Sequence, residues 1–336
     1  MVKYIIKRLL LLIPVLLGVA TIVFLIMRVF LTDPSQTILG KSASDEQRLE
    51  WRQKQGLEEP LHKQYFIFLQ DFVKGNLGKS YATNASVVTE IFSRFPATIE
   101  LAISGIVLAL IFGVSLGIIS AIKRNSIFDS LGMTIALVGV SVPIFWLGVL
   151  FIIVFSNSFI PSVGRIDVLL KPTNITGFYL LDSLLCGKLD SFFDALKHLI
   201  LPSCALAMYS MAVIARMTRS SMLETLSQDY VRTARAKGLP EKKVIFFHAL
   251  RNALIPIVTV VGLQFGSLLA GAVLTESIFS WPGIGKYTVE CIQNSDIPVV
   301  QGMVLILATI FVFVNLAVDI IYAFLDPRIK FSKRGC

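Results

Sequence analysis

The stretch from Arg216 to Arg251 reads RMTRSSMLETLSQDYVRTARAKGLPEKKVIFFHALR and lies between two long apolar runs. It holds eight Lys or Arg residues and three acids, and is the most basic part of the chain. Apolar residues recur every four positions from Met222 to Ala234, which predicts an amphipathic helix. Gly238 accepts a left-handed cap and Pro240 cannot continue a helix, so the helix should stop there and a second one begin.

The composition around this stretch is that of a membrane protein. The chain has 336 residues, of which 55% are hydrophobic and 16% charged, and its mean hydropathy is +0.75. Soluble domains carry charge on about a quarter of their residues. The apolar residues also form blocks of about 20, the length needed to cross a bilayer as helix. The sequence therefore predicts an all-α polytopic protein with six transmembrane helices and a cytoplasmic loop.

The apolar blocks divide the chain into four parts. Residues 1–30 are expected to form a cytoplasmic N-terminus and the first span, and residues 31–97 an extracytoplasmic segment that folds as a small helical cap. Residues 98–325 form a core of five spans that contains the polar loop 216–251, and residues 326–336 a cytoplasmic tail. The expected spans are Leu9–Met27, Ile99–Ile122, Leu131–Phe155, His198–Arg216, Leu254–Leu274 and Met303–Leu325.

The distribution of charge orients these spans. Lys and Arg outnumber the acids in all four predicted inner segments, whereas the outer segment 31–97 is balanced. Short loops rich in Lys and Arg stay in the cytoplasm, so both termini are expected inside. Arg28 falls at the outer end of the first span and should snorkel toward the head groups. The basic balance thus reflects orientation toward membrane lipid, and no aromatic-interleaved basic patch predicts a nucleic-acid partner.

Several chemical functions find no support in the sequence. The triplets at Gly40–Ser42 and Gly78–Ser80 lack the preceding Gly of a phosphate-binding loop. The four cysteines show no metal-ligand spacing, and pairing of Cys186 with Cys291 would require two outer loops to meet. No nucleophile–base pattern is present. We therefore expect no cofactor, no metal site and no catalytic residues.

Polar and small residues inside the spans mark two further kinds of site. Gln264 lies in mid-span, where it suits either a polar translocation path or a hydrogen bond between helices. Pro143 can bend a helix around such a path. Asp319 is more simply a counter-ion for the basic inner loops. The pairs Gly113–Gly117 and Gly262–Gly266 allow close approach of helices, and packing within this chain is favoured over a sliding contact with a partner.

Eight segments resemble the permeases of ABC importers for dipeptides, oligopeptides and nickel. In the polar stretch these segments are Ala215–Glu224, Asp229–Leu239 and His248–Pro256. Elsewhere they are Phe95–Ala102, Ser141–Gly148, Thr275–Gly285, Asp296–Gly302 and Asp326–Arg328. In Thr275–Gly285, the run from Trp281 to Gly285 also predicts a tight re-entrant turn with an aromatic anchor at the membrane interface.

The resemblance implies the type I importer permease fold in a bacterial inner membrane. It also implies three kinds of protein partner, namely a second homologous permease subunit, cytoplasmic ABC ATPases and an extracytoplasmic solute-binding protein. ATP hydrolysis would belong to the ATPases, and this chain would not be an enzyme. In that family the polar loop docks into a groove of the ATPase, with Tyr230, Val231 and Ala234 facing it. The coupling residues implied here are Tyr230, Val231, Arg232, Ala234, Arg235, Gly238 and Leu239.

Departures from the family's sequence pattern narrow the range of expected substrates. The general loop pattern is Glu-Ala-Ala, three residues, then Gly, but Arg232 and Thr233 replace its first two positions. This departure is usual in the peptide branch, which implies a peptide substrate and favours dipeptides. Nickel, longer peptides or another small solute remain alternatives. A channel or secondary transporter that acts alone is a further alternative, but it offers no reason for the sequence of Asp229–Gly238. At Leu31–Pro34 the family's usual Pro-Gly-Asp-Pro is missing.

Overall fold

A computed structural model describes residues 2–30, 34–40 and 43–325. Some residues named in the sequence analysis lie outside the described ranges. They are Leu31–Asp33, Lys41–Ser42 and the tail 326–336, which includes Asp326–Arg328. The helices are α1 Val2–Leu25, α2 Pro34–Ile38, α3 Asp45–Lys54, α4 Leu61–Val73, α5 Val87–Ile122, α6 Ile127–Ser141, α7 Ile144–Phe155, α8 Tyr179–Leu185, α9 Leu189–Leu226, α10 Asp229–Ala236, α11 Glu241–Lys243, α12 Leu250–Ile278, α13 Ile284–Gln293 and α14 Ile297–Leu325. The all-α class is confirmed.

In the described residues, five apolar stretches lie in helices long enough to span a membrane. They are Arg8–Arg28, Val87–Ile122, Leu189–Leu226, Glu241–Leu269 and Ile297–Val318. A sixth candidate is the pair α6 and α7, whose axes meet at 102°. The span expected over Leu131–Phe155 is therefore formed by two helices, and the bend that the sequence predicted at Pro143 lies between them. Val142 adopts an extended conformation there, and Pro143, which has no N–H to donate, precedes the first residue of α7.

Helix α9 occupies the centre of the molecule. Its 38 residues correspond to a length of about 57 Å at 1.5 Å per residue, well beyond the hydrocarbon thickness. The helix packs against α5, α6, α7, α8 and α12. It is longer at both ends than the span expected over His198–Arg216, because its polar ends lie on neighbouring helices and loops rather than in lipid.

Small residues let α5 and α9 approach closely. A Cβ added at Gly117 would lie 2.5 Å from Thr218 Cβ and 2.6 Å from Ala215 O, and one added at Gly113 would lie 2.8 Å from Met211 O. The second pair behaves in the same way, since Gly262 faces Val318 of α14. Both glycine pairs thus pack inside this chain, as the sequence favoured.

The segment before α5 forms a helical cap that is tied to the far end of the chain. Ser80 Oγ donates to Asp296 Oδ2 (2.5 Å), and Tyr81 N donates to Asp296 Oδ1 (3.0 Å). Apolar residues of α1, the cap, α13 and α14 share one core cluster. Helix α5 begins at Val87, twelve residues before the expected start at Ile99, because its first turns pack on the cap instead of crossing lipid.

The close contact of α5 with α9 predicts that adding a methyl group at Gly117 destabilises the protein, whereas adding one at Gly271 does not. Gly117→Ala should lower the free energy of unfolding by about 1–3 kcal/mol, because the methyl group overpacks the helix contact. Gly271→Ala on α12 is the control, because nothing lies within 4 Å of a Cβ added there. Thermal unfolding in detergent measures both. Equal melting temperatures for the two variants would contradict the packing described.

Candidate functional site

The basic loop forms a bent helical pair on the end of α9. Helix α9 ends at Leu226, and α10 begins at Asp229 after a turn in which Gln228 is extended. The continuous helix expected from Met222 to Ala234 is therefore wrong. Ser227 Oγ bonds to the carbonyl of Glu224, a local hydrogen bond that competes with continuation of the helix.

One face of α10 is buried within the chain. Val231 is 0% exposed and Ala234 6% exposed, and both lie in a cluster with Val244 that Leu226 and Leu239 adjoin. The expectation that Val231 and Ala234 face another protein is wrong for this conformation. The exposed face instead presents Tyr230, Arg232 and Arg235.

The bend after α10 depends on Gly238. Its φ is +76°, the left-handed region that glycine tolerates best, so the predicted cap is confirmed. No atom lies within 4 Å of a Cβ added there, which makes backbone conformation the constraint rather than space. Across the bend, Arg235 Nη2 donates to Glu241 Oε1 (2.7 Å). This hydrogen bond holds the pKa of Glu241 below its usual value.

A second contact joins α10 to the start of α12. Asn252 Nδ2 donates to the hydroxyl oxygen of Tyr230 (2.7 Å). The residues Val244–Ala249 between α11 and α12 form a π-helical turn, a geometry often found at functional sites. Helix α10 thus contacts the π-helical turn through Val244 and α12 itself through this hydrogen bond.

The two predicted pore residues lie on different neighbours of α9. Gln264 of α12 is half-buried, and its Oε1 accepts from Ser210 Oγ of α9 (3.0 Å). Pro143 lies in the break between α6 and α7. Close to that break, a Cβ at Gly139 would lie 3.2 Å from Met208 O of α9. The segment Met208–Ser210 therefore lies close to both sites.

A fully buried carboxylate organises the hairpin between α12 and α13. Glu276 is 0% exposed and accepts from Thr98 Oγ1 (2.6 Å) and Lys286 N (3.0 Å). A Cβ at Gly283 would lie 2.2 Å from Glu276 Oε1, so only glycine lets the backbone approach. The interfacial position expected for Trp281 is wrong, because it is 1% exposed and donates from Nε1 to the carbonyl of Ala97.

A buried ion pair ties the loop between α7 and α8 to α5. Arg165 donates from Nη2 and Nε to Glu100 Oε2, at 2.7 Å and 3.0 Å. The second oxygen of Glu100 accepts from Leu180 N (2.9 Å). The guanidinium also lies 3.8 Å from the ring centroid of Tyr179. The buried charges of Arg165 and Glu100 are therefore compensated by each other and by these hydrogen bonds.

A second ion pair joins the start of α6 to the last turns of α9. Arg219 donates from Nε to Asp129 Oδ1 (2.6 Å) and from Nη2 to Asp129 Oδ2 (2.7 Å). Such a two-point pair fixes orientation as well as distance. It holds α6 to the part of α9 that leads into α10.

The remaining candidate residues form no reactive centre in the described part of the chain. No group of three His, Cys, Asp or Glu side chains there could hold a metal ion. Cys186 and Cys291 are both free, so the pairing considered from the sequence does not occur.

Comparison with known proteins places this architecture in a family. The model described as "Binding-protein-dependent transport system inner membrane component" matches residues 113–331, and the model of its N-terminal part matches residues 1–102. The chain belongs to this family.

Relatives are similar to this transport component over their whole length. The dipeptide transport system permease protein of Alkalihalophilus pseudofirmus is 49% identical, with 98% of this chain and all of that protein covered. The di/tripeptide transport system permease protein of Pseudomonas aeruginosa is 48% identical, with 99% and 100% covered. An inward-facing structure of the MetNI methionine ABC transporter has 17% identity and a TM-score of 0.50 over 68% of this chain and 93% of that one. That likeness concerns the fold alone.

Sequence reasoning missed the structural partners of this transport component's carboxylates. Glu100 lies within α5, Asp129 and Glu276 lie near the ends of apolar helices, and each is satisfied by a residue that is distant in sequence. A buried charge needs a partner, but the partner cannot be read from spacing. The one available signal was the pair of glycines at Gly283 and Gly285, which allow close approach of another group.

The buried carboxylate of Glu276 predicts a pH dependence of stability. Glu276 lies beyond the span expected over Leu254–Leu274. Burial raises its pKa from 4.5 to about 7, although hydrogen bonds from Thr98, Lys286 and Gly285 oppose the rise. Between these values the folded protein binds a proton that the unfolded chain lacks, so this contribution to stability falls as pH rises from 4.5 to 7.

Thermal unfolding across that pH range should therefore change less in Glu276→Gln than in the unchanged protein. Glu290→Gln on α13 is the matched control, because its side chain is 51% exposed. If Glu276→Gln keeps the full pH dependence, the assignment to this carboxylate is wrong.

Proposed function

We propose that this permease imports dipeptides across the bacterial cytoplasmic membrane as one of two homologous permease subunits. Cytoplasmic ATPases would supply the energy, and a solute-binding protein would deliver the peptide at the outer face. The dipeptide substrate is supported by similarity to relatives named as dipeptide permeases, at 43% to 49% identity over nearly the whole chain. Ni²⁺ and longer peptides are the competing substrates.

The proposed orientation places both termini in the cytoplasm. In this arrangement the basic bend of α10 and α11 faces the cytoplasm, and the cap formed by α2, α3 and α4 faces outward. The excess of Lys and Arg in the loop 216–251 supports this assignment. The division of the chain at residues 30, 97 and 325 follows from it.

The proposed coupling element is the exposed face of α10 with the bend after it. Tyr230, Arg232 and Arg235 would contact the ATPase, while Val231 and Ala234 hold α10 on Val244 and so transmit its motion to α12. Gly238 sets the angle of the bend, and Leu239 adjoins the apolar cluster beneath it. A displacement of α10 then reaches α12, which carries Gln264 in mid-span.

The proposed translocation path passes the α6–α7 break at Pro143 and the Ser210–Gln264 hydrogen bond. A peptide offers amide and carboxylate groups, and polar side chains at membrane depth lower the cost of moving such groups through the bilayer. Alternating access then requires these helices to rearrange between an outward and an inward opening.

The coupling proposal predicts different outcomes for two substitutions at Gly238. Gly238→Val places a β-branched residue at positive φ, at a cost of about 1–3 kcal/mol, and should abolish uptake of a radiolabelled dipeptide. Gly238→Asn should retain most uptake, because Asn tolerates this conformation. Both are measured in cells that express the partner subunits and lack other peptide uptake, with co-purification of the ATPases as a second readout.

Competition in the same assay tests the substrate. An excess of unlabelled dipeptide should suppress uptake, and Ni²⁺ should not. Full uptake by Gly238→Val would contradict the coupling role proposed for the bend. If Ni²⁺ competes and dipeptide does not, Ni²⁺ rather than dipeptide is the substrate.

The path proposal predicts that Gln264→Leu slows uptake roughly fivefold or more, since Leu cannot make the hydrogen bond to the passing peptide that Gln264 would supply, a difference of about 1 kcal/mol. Basal ATP hydrolysis and assembly with the ATPases should remain. Ser267→Ala is the control, because its Oγ bonds only to the carbonyl of Leu263 on the same exposed face. Unchanged uptake by Gln264→Leu would make Gln264 a packing residue.

A further inference from the structure

A cavity of about 690 Å³ lies between the outer end of α1, the cap and the start of α14. Its volume is within the range of small-molecule sites, about 300–1,000 Å³. Its lining includes Arg28, Trp51, Lys54, Lys79, Tyr81 and Gln301. The polar residues Ser210 and Gln264, proposed above for the path, do not line it.

Arg28 is the unusual member of this lining. It lies in a π-helical turn, Ile26–Phe30, at the end of α1, a geometry often found at functional sites. Its Nε is buried and has no hydrogen-bond partner. The expectation that Arg28 snorkels to the lipid head groups is therefore wrong, because its side chain lines the cavity.

The charges around the cavity favour an anion. Lys54 and Lys79 also line it, and neither has an ion-pair partner within the described residues. The one acid in the lining, Asp71, accepts from Asn76 Nδ2 (3.4 Å). A guanidinium with a free Nε–H presents the fork that matches a planar carboxylate.

The other walls suit the body of a small peptide. The rings of Trp51 and Tyr81 contact each other edge to face, with centroids 5.1 Å apart, and offer apolar surface to a side chain. Gln301 offers an amide that can both donate to and accept from a peptide group. Charged, aromatic and amide groups therefore converge on one space.

We propose that this cavity binds a short peptide through its C-terminal carboxylate, which pairs with Arg28. The inference rests on the proposed peptide import, and it adds a second binding site in the outer cap, apart from the path at Gln264. Lys54 and Lys79 strengthen the attraction, and Trp51 and Tyr81 contact the apolar part of the peptide.

Fluorescence of Trp51 tests the site in the full chain, held in nanodiscs of phosphatidylcholine. Trp146→Phe leaves Trp51 as the reporter in the cavity, because Trp281 is buried elsewhere against Ala97. Alanyl-leucine should produce a saturable change, and its C-terminal amide should bind at least tenfold more weakly. Equal binding of acid and amide would overturn the proposal.

Variants assign the binding to the cavity. Arg28→Gln should weaken binding of alanyl-leucine at least tenfold, and Lys79→Glu severalfold by reversing one charge of the lining. Lys63→Gln is the control, because Lys63 pairs with Glu59 and lies outside the cavity lining. Melting curves identify any variant that fails to fold. If Arg28→Gln fails to fold, the binding measured for Lys79→Glu decides whether the peptide occupies the cavity. Binding unchanged in both cavity variants would overturn the proposal.

A lipid phosphate is the competing source of an anion. If phosphatidylglycerol in the nanodisc changes Trp51 fluorescence and alanyl-leucine does not, the cavity is a head-group site and the proposal fails. The two proposals also fail separately. Dipeptide uptake by the assembled transporter, without Arg28-dependent binding, removes only the cavity site. Arg28-dependent binding without uptake removes only the import function.

Discussion

The close contact of α5 with α9 is the constraint on which the rest of the structure depends. Glycines at positions 113 and 117 bring the two backbones together because any side chain there would meet Thr218 or the carbonyls of Met211 and Ala215. In a bilayer, where lipid is as apolar as the helices, such packing replaces the hydrophobic effect as the force between spans. The other helices then arrange themselves around a fixed pair.

The two ends of this pair are held by different kinds of interaction. At one end, Glu276 joins α12 to Thr98 of α5, and Glu100 joins α5 to Arg165 in the loop between α7 and α8. These bonds are directional, and breaking one leaves a buried charge or donor without a partner. At the opposite end, the Asp129–Arg219 pair and the Asn252–Tyr230 hydrogen bond are also directional. Helix α10, however, lies on Val244 through apolar side chains, which have no preferred direction.

Much of this arrangement could be predicted from the sequence, but not the contacts that join one helix to another. Apolar length predicted six spans, and Gly238 with Pro240 predicted the bend after α10. Pro143 predicted the bend between α6 and α7 but not its angle of 102°, because the apolar pattern continues through Val142 and Pro143. The inward face of α10 was also missed, since an amphipathic stripe shows which residues share a face and not what covers it. The pairs of Glu100 and Glu276 depend on contacts between residues distant in the chain.

The difference between the two ends indicates where the proposed cycle moves the chain. The outer end of α12 is fixed to α5 and α13 by the Glu276 hydrogen bonds, so α12 can pivot there but cannot slide. Its inner end follows the π-helical turn Val244–Ala249, where the backbone hydrogen bonds are already irregular. In the proposed cycle, a displacement of α10 would bend the chain at that turn and tilt α12. Gln264 lies between the fixed end and the moving end, so such a tilt would change its distance from Ser210 while the hairpin between α12 and α13 remains in place.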